Sequence, residues 1–127
     1  MFSTAENTLS TNPNPKRGEI WFVDLEPVKG AELQKKRPAV VVNSDALGVL
    51  PIKLIAPITE YQDIFDKNPW HIRILPEKSN GLKKASAIDC LQIRAVDLSR
   101  FDNKIGVLPS GILVDVIAAI AMVIEYE

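Results

Sequence analysis

Apolar and polar positions along this chain fall into several short runs followed by one long one. Residues 19–25 (EIWFVDL) are rich in aromatic and β-branched side chains and end just ahead of Pro27, which predicts a strand. Residues 38–43 (PAVVVN) form a continuous apolar run, which predicts a second strand buried on both faces. Residues 52–58 (IKLIAPI) predict a third, with Pro57 pointing to an edge or a bulge. Residues 70–75 (WHIRIL) alternate, with Trp70, Ile72 and Ile74 on one face and His71 and Arg73 on the other; this is the pattern of a half-buried strand. Residues 85–90 and 91–97 are further strand material, either separate strands or one bent strand, and 104–108 (KIGVL) close the β portion. Between these runs, 26–36 is a polar, charged loop containing Gly30, 60–69 is a polar connection, and Asn80-Gly81 marks a turn.

The last run differs in kind. Residues 111–125 (GILVDVIAAIAMVIE) predict a helix with Ser110 as its N-cap. Only Asp115 interrupts its apolar surface. The run is too short to span a bilayer comfortably, and a helix apolar nearly all round is buried nearly all round. One small domain covers one face of it. The expectation is therefore a homodimer that covers part of the rest. Strands followed by a single helix, with no strand–helix alternation, predict a mainly β (α+β) fold built as a compact, mostly antiparallel barrel.

Composition narrows this little. A chain of 127 residues fits one domain with a core of its own. Residues 1–15 (MFSTAENTLSTNPNP) lack the apolar run of a signal peptide, and their Ser, Thr, Asn and Pro content predicts a disordered tail ahead of a domain at 16–127. The one cysteine, Cys90, forms no internal disulfide and excludes a multi-cysteine zinc site. It reads as a buried structural thiol, and a reducing, cytoplasmic setting follows. The formal charge of −1 gives no overall electrostatic footprint for nucleic acid, so any such binding needs a local basic patch.

Much chemistry is absent from the sequence. There is no glycine-rich phosphate loop and no dinucleotide-binding fingerprint. A single histidine, His71, excludes a His–His metal pair and a two-histidine ribonuclease, and no nucleophile elbow accompanies it. No metal and no cofactor are expected. His71 is either an exposed strand histidine or a ligand contact. Two segments stand out. In one, Lys35-Lys36-Arg37 runs straight into the Pro38-Ala39-Val40-Val41-Val42 strand. In the other, Ala56-Pro57-Ile58-Thr59 ends a strand in a hydroxyl. If both open at the same end of the barrel, an arginine fork and a hydroxyl converge on one cleft and suit a phosphate. Otherwise Arg37 is a solvated charge and Thr59 a turn residue.

A family resemblance bears on that choice. The stretch Lys16-Arg17-Gly18-Glu19-Ile20-Trp21-Phe22-Val23-Asp24-Leu25-Glu26-Pro27 resembles the opening signature of the MazF/PemK toxins. Gly30-Ala31-Glu32-Leu33-Gln34 and Arg37-Pro38-Ala39-Val40-Val41-Val42 follow, then Ala56-Pro57-Ile58-Thr59, then Gln92-Ile93-Arg94-Ala95-Val96-Asp97 with Leu98 and Lys104-Ile105-Gly106. Four blocks in the family's order cover about residues 16–125.

The resemblance implies a small SH3-like barrel with a C-terminal helix, of the CcdB/PemK toxin type. It implies a homodimer, cleavage of single-stranded RNA at a short sequence, and a cognate MazE-like antitoxin that blocks the RNA groove. The family's catalytic arginine and threonine fall on Arg37 and Thr59. RNA supplies its own nucleophile in the 2′-OH. A metal-free enzyme then needs only to activate that hydroxyl, stabilise the phosphorane and protonate the leaving 5′-oxygen. Arginine does not readily deprotonate, so Glu32 in the neighbouring loop is a candidate base or groove residue. Lys35 and Lys36 are expected to contact phosphates beside Lys29 and Arg37. Gln34 falls in the groove-lining loop, His71 is a further contact, and Ser86 and Gln92 are expected to read splayed bases.

The chain departs from the family in two places. The family often has Gly-Ser-Glu-Gln where this chain has Gly30-Ala31-Glu32-Leu33-Gln34, and often an acidic residue where this chain has Leu91. Both bear on which sequence is cut. The competing readings are a toxin of the same fold that binds a protein target such as gyrase, and an adaptor without catalysis. The first does not need Arg37 and Thr59 in these blocks. The second needs an aromatic groove for proline-rich peptides, and the two Trp and two Tyr are scattered.

Overall fold

The computed structural model describes residues 13–25 and 36–126. The expectations for the 26–35 loop and for 1–12 fall outside these residues. Pro15 is fully buried, so packing begins one residue ahead of the expected start at Lys16.

Among the described residues, seven strands and one α-helix follow in chain order: β1 (Glu19–Asp24), β2 (Lys36–Val41), β3 (Ile52–Glu60), β4 (His71–Ile74), β5 (Ser86–Asp89), β6 (Arg94–Asp97), β7 (Phe101–Val107) and α1 (Ser110–Val123). All pairings are antiparallel. The class is mainly β with one C-terminal helix, as the runs of apolar residues predict.

The nine-residue β3 is the hub. On one edge it pairs with β2 through Ala39↔Pro57, Val40↔Ala56 and Val41↔Ile55. On its other edge it pairs first with β6, from Ile52↔Asp97 to Ile55↔Arg94, and then with β5, from Ile58↔Ile88 to Glu60↔Ser86. The 85–97 stretch is therefore two strands laid along successive lengths of one neighbour. Pro57 sits in the gap between them, inside the sheet rather than at its edge. A residue without an N–H is tolerated where a ladder changes partner.

The sheet order is β4-β5-β3-β2-β1-β7. Its two ends meet, because the turn after β4 crosses to β7 and Ser79 O accepts from Val107 N–H at 2.9 Å. Asn80 organises this turn. Its Oδ1 accepts from the N–H groups of Glu77 (3.0 Å) and Leu82 (2.9 Å), and its amide donates to Leu75 O at 2.9 Å. Gly81 follows at φ +70°, where L side chains are strained, and a Cβ there would collide with the backbone of Ile105.

Strand alternation divides the core in two. Val40 and Val42 of the β2 segment pack with Ile20, Ile58, Ile88 and Val116, under the helix. Ala39 and Val41 point the other way, onto Val23, Ile55, Val96 and Phe101. The continuous apolar run of β2 is thus buried on both faces, each large aliphatic side chain contributing about 1.5–3 kcal/mol.

Helix α1 starts at Ser110, with Pro109 as its N-cap and no side-chain capping bond. Ser110 is the first helical residue, not the cap. Proline fits there because its fixed φ suits a helix entrance and no N–H is lost. Val116 and Ala119 are buried in the helix–sheet interface, while Val114, Met122 and Ile124 stand exposed. Among the described residues, no helix is long and apolar enough to cross a membrane.

Candidate active site

The β2–β3 ladder ends at Ala39↔Pro57. The same register carried two residues further sets Arg37 opposite Thr59. Both residues line two clefts, of about 510 Å³ and about 530 Å³. They form the ridge between them.

The first cleft holds His71, Asp89, Gln92 and Arg94, with Phe65 and Trp70. His71 and Asp89 are direct cross-strand partners on β4 and β5. The His71 Nε2 lies 3.6 Å from Asp89 Oδ2. The other ring nitrogen, Nδ1, lies 3.1 Å from the Asn68 amide nitrogen. An amide nitrogen only donates, so Nδ1 accepts and Nε2 carries the proton that faces the carboxylate. Phe65 stacks on the imidazole, with centroids 4.0 Å apart and planes 12° from parallel. Of the two expectations for His71, the exposed strand histidine is not what the structure has: the side chain is buried in the wall of this cleft, beside Asp89 and Asn68.

Asp89 is more heavily used still. Its Oδ1 accepts from Leu91 N–H (3.1 Å) and Gln92 N–H (3.3 Å), and its Oδ2 from Gln92 Nε2 at 2.8 Å. These bonds fold the bend that separates β5 from β6. Next to it, Cys90 is buried as expected, and burial followed by the Asp89 charge pushes its thiol up to about 12. The sulfur stays a neutral core group.

Arg37 and Arg94 line this cleft, and their guanidinium groups have no hydrogen-bond or ion-pair partner among the described residues. Other arginines are occupied: Arg17 donates to Val42 O, Arg100 to Asp24 O, and Arg73 lies over the Tyr61 ring. Two arginine forks without a protein partner on one cleft have the chemistry to hold an anion.

The second cleft is basic, with Lys36, Lys83 and Lys84 around a floor that includes Phe22, Leu82 and Ile105. Lys36 Nζ pairs with Asp102 at 3.1 Å, and Lys84 Nζ with Glu60 at 3.7 Å. All four side chains are exposed, so these pairs are weak and yield to a phosphate at little cost. Ser86 lines the same cleft, but its hydroxyl is buried and donates to Lys84 O at 2.8 Å. That bond ties down the entrance to β5, so Ser86 is poorly placed to read a base, contrary to expectation. Among the described residues, no three His, Cys, Asp or Glu side chains gather as metal ligands.

The family model for PemK-like, MazF-like toxins of type II toxin–antitoxin systems matches residues 16–124. This chain belongs to the PemK/MazF family of toxins. It is 37% identical over 91 residues to endoribonuclease EndoA of Bacillus subtilis, covering 71% of this chain and 77% of that one. It is 33% identical over 97 residues to endoribonuclease MazF9 of Mycobacterium tuberculosis, covering 72% of this chain and 80% of that one. The MazE–MazF crystal structure from Deinococcus radiodurans (Form-II) shares the fold, with a TM-score of 0.74 at 21% identity over 91% of this chain and 99% of that one. The M. tuberculosis toxin MazF-mt6 does so with a TM-score of 0.70 at 18% identity, over 86% and 98%.

In this PemK/MazF chain, Arg37, Thr59, His71 and Gln92 share the first cleft, and Arg37, Thr59, Lys36 and Ser86 the second. Glu32, Gln34 and Lys35 fall outside the described residues. The sequence reading missed Asp89, Arg94 and the Lys83–Lys84 pair. Asp89 carried one signal, an acidic residue in the apolar strand run ASAIDC, where aspartate is disfavoured.

Proposed function

We propose that this toxin is an endoribonuclease that cuts single-stranded RNA at a short sequence by metal-independent transesterification, and that a cognate MazE-like antitoxin neutralises it. The observation that carries this reading is the Arg37–Thr59 ridge between two clefts, in a chain similar to named endoribonucleases. A protein-binding toxin of the same fold has no use for that ridge.

The chemistry follows from the ridge. The substrate's 2′-oxygen attacks the adjacent phosphorus as its proton passes to a base, and the bond to the 5′-oxygen breaks as that oxygen takes up a proton from solvent or the conjugate acid of the base. The products are a 2′,3′-cyclic phosphate and a 5′-OH end. Negative charge builds on the non-bridging oxygens, and Arg37 is the fork that meets it. Preorganised donors of this kind are usually the largest catalytic contribution, one lost donor costing about 100–1,000-fold. Thr59 adds a hydrogen bond to the same phosphate. Arg94 on one side and Lys36, Lys83 and Lys84 on the other hold the neighbouring phosphates. Glu32 is our candidate for the base that takes the 2′-OH proton.

The homodimer and the cytoplasmic setting belong to the same proposal. Val114 and Met122 of α1, with Ile124 just past its end, form exposed apolar surface that a second copy covers.

The test is incubation of purified protein with long, unstructured RNA in EDTA, beside an Arg37→Ala control, with the new ends mapped. Cleavage by the wild type alone, leaving 5′-OH ends at a recurring sequence, supports the reading. Intact RNA from folded wild-type protein rejects it. Equal cleavage by both proteins rejects Arg37 as the catalytic group.

A further inference from the structure

The Asp89–Gln92 contact has a directional consequence. A carboxylate only accepts hydrogen bonds, and a glutamine amide has one end that donates and one that accepts. With Asp89 Oδ2 2.8 Å away, the amide nitrogen of Gln92 must face it. Asp89 cannot swing aside, because its other oxygen is held by the backbone N–H groups of Leu91 and Gln92. The cross-strand His71 also presents Nε2 to Oδ2. Gln92 is therefore locked in one orientation. Its Oε1 has no partner among the described residues, and the residue itself is an exposed part of the wall of the Arg37–Thr59 cleft.

We infer that Asp89 is a positioning residue that sets base preference: it turns the acceptor end of Gln92 into the cleft, where that oxygen takes a hydrogen bond from an exocyclic amino group of one base. Adenine, cytosine and guanine carry such a group, and uracil does not. The inference rests on the reading of this cleft as the RNA site. Asp89 itself is turned away from the substrate by three hydrogen bonds and the His71 contact. Its four contacts are internal, and the residue is only 8% exposed.

The Asp89→Asn variant tests this with almost no change of shape. The substituted side chain keeps an oxygen for the two backbone N–H groups but presents an amide N–H to Gln92. Gln92 must then turn over to accept it, and its own NH2 faces the cleft. The preferred partner changes from a donor to an acceptor, such as a uracil carbonyl.

The experiment digests a random-sequence, unstructured RNA pool to equal extent with wild type, Asp89→Asn and Gln92→Ala, and compares base frequencies around the cut. The expected result is one position where the wild type disfavours uracil on the order of 10-fold, the scale of one mispaired buried hydrogen bond. At that position neither Gln92→Ala nor Asp89→Asn disfavours uracil. Wild-type preference at every position in folded Asp89→Asn overturns the inference. So does folded Asp89→Asn that has lost all cleavage, since Asp89 would then act on the reaction itself. If Asp89→Asn fails to fold, Gln92→Ala decides, and retained discrimination against uracil overturns it. Wild-type protein that leaves the pool intact rejects RNA cleavage instead. Filter selection of the same pool for binding then separates the two: equal base preference of wild type and Asp89→Asn overturns the inference, and loss of the discrimination against uracil in Asp89→Asn keeps it.

Discussion

Arg37 and Thr59 each lie two residues beyond the last pair of the β2–β3 ladder, Ala39 and Pro57, and both line the two clefts. Strands hold both backbones, so the two side chains keep their spacing without a bound ligand. Pre-set geometry of this kind stabilises developing charge without reorganisation during the reaction. Arg37→Ala is expected to lower the cleavage rate by about 100–1,000-fold. Thr59→Val, which keeps the shape and loses one hydrogen bond to the charged phosphate, is expected to cost about 10–100-fold. Both variants should melt close to wild type, since Arg37 is exposed and Thr59 half-buried. Initial rates on a fluorogenic RNA and thermal melts check both statements.

Acid stability should depend on Glu19. Burial pushes its carboxyl up, but the Lys16 N–H (2.9 Å), the Trp21 indole (3.0 Å) and the Lys104 ammonium (3.1 Å) together hold it below the ordinary value of 4.5. A carboxyl with a lowered folded-state pKa stabilises the protein above its unfolded value and loses that contribution as pH falls through the folded one. The wild type should therefore lose stability as pH drops below about 4.5. Glu19→Gln should cost about 2 kcal/mol at neutral pH, the scale of hydrogen bonds to a charged group, and flatten the acid limb. Urea unfolding across a pH series measures both.

Cys90 should be silent in the folded protein. Its thiol is fully buried and pushed up to about 12, so almost no thiolate exists at neutral pH. A disulfide reagent should leave it unmodified in buffer and titrate one thiol once the chain is denatured. Fast labelling of native protein would contradict the packing of β5.

The closure of the sheet should hinge on a backbone contact rather than a side chain. A Cβ on Gly106 would collide with the backbone of Asn80, and one on Gly81 with that of Ile105. Gly106→Ala is expected to destabilise the fold by more than about 2 kcal/mol, in the upper part of the range for single substitutions, because neither backbone has room to retreat. Differential scanning calorimetry gives the shift. A melting temperature equal to wild type would mean the β4–β7 turn is free to move.

The dimer proposal has its own check. Val114→Glu places a charge in exposed apolar helix surface. The variant should be monomeric by light scattering at concentrations where the wild type is a dimer, with the strand signal in circular dichroism unchanged.

The local pattern of residues carried much of this protein. Period-two alternation and β-branched runs were enough to mark the strands, since side-chain burial imposes that period wherever a strand meets a core. The apolar C-terminal run marked α1, and the ordered blocks around Arg37, Thr59 and Gln92 marked the family. Pairings between distant strands were not legible, because register depends on which hydrophobic faces meet in space. Only the tertiary structure split the 85–97 run into two strands along β3 and showed that Pro57, expected at an edge or a bulge, lies in an interior gap between ladders. It also turned His71 inward against Asp89, far along the chain but directly across a β ladder. Nothing local links those two residues. A carboxylate in an apolar strand was the single hint, and what it touches was decided when β4 and β5 came side by side.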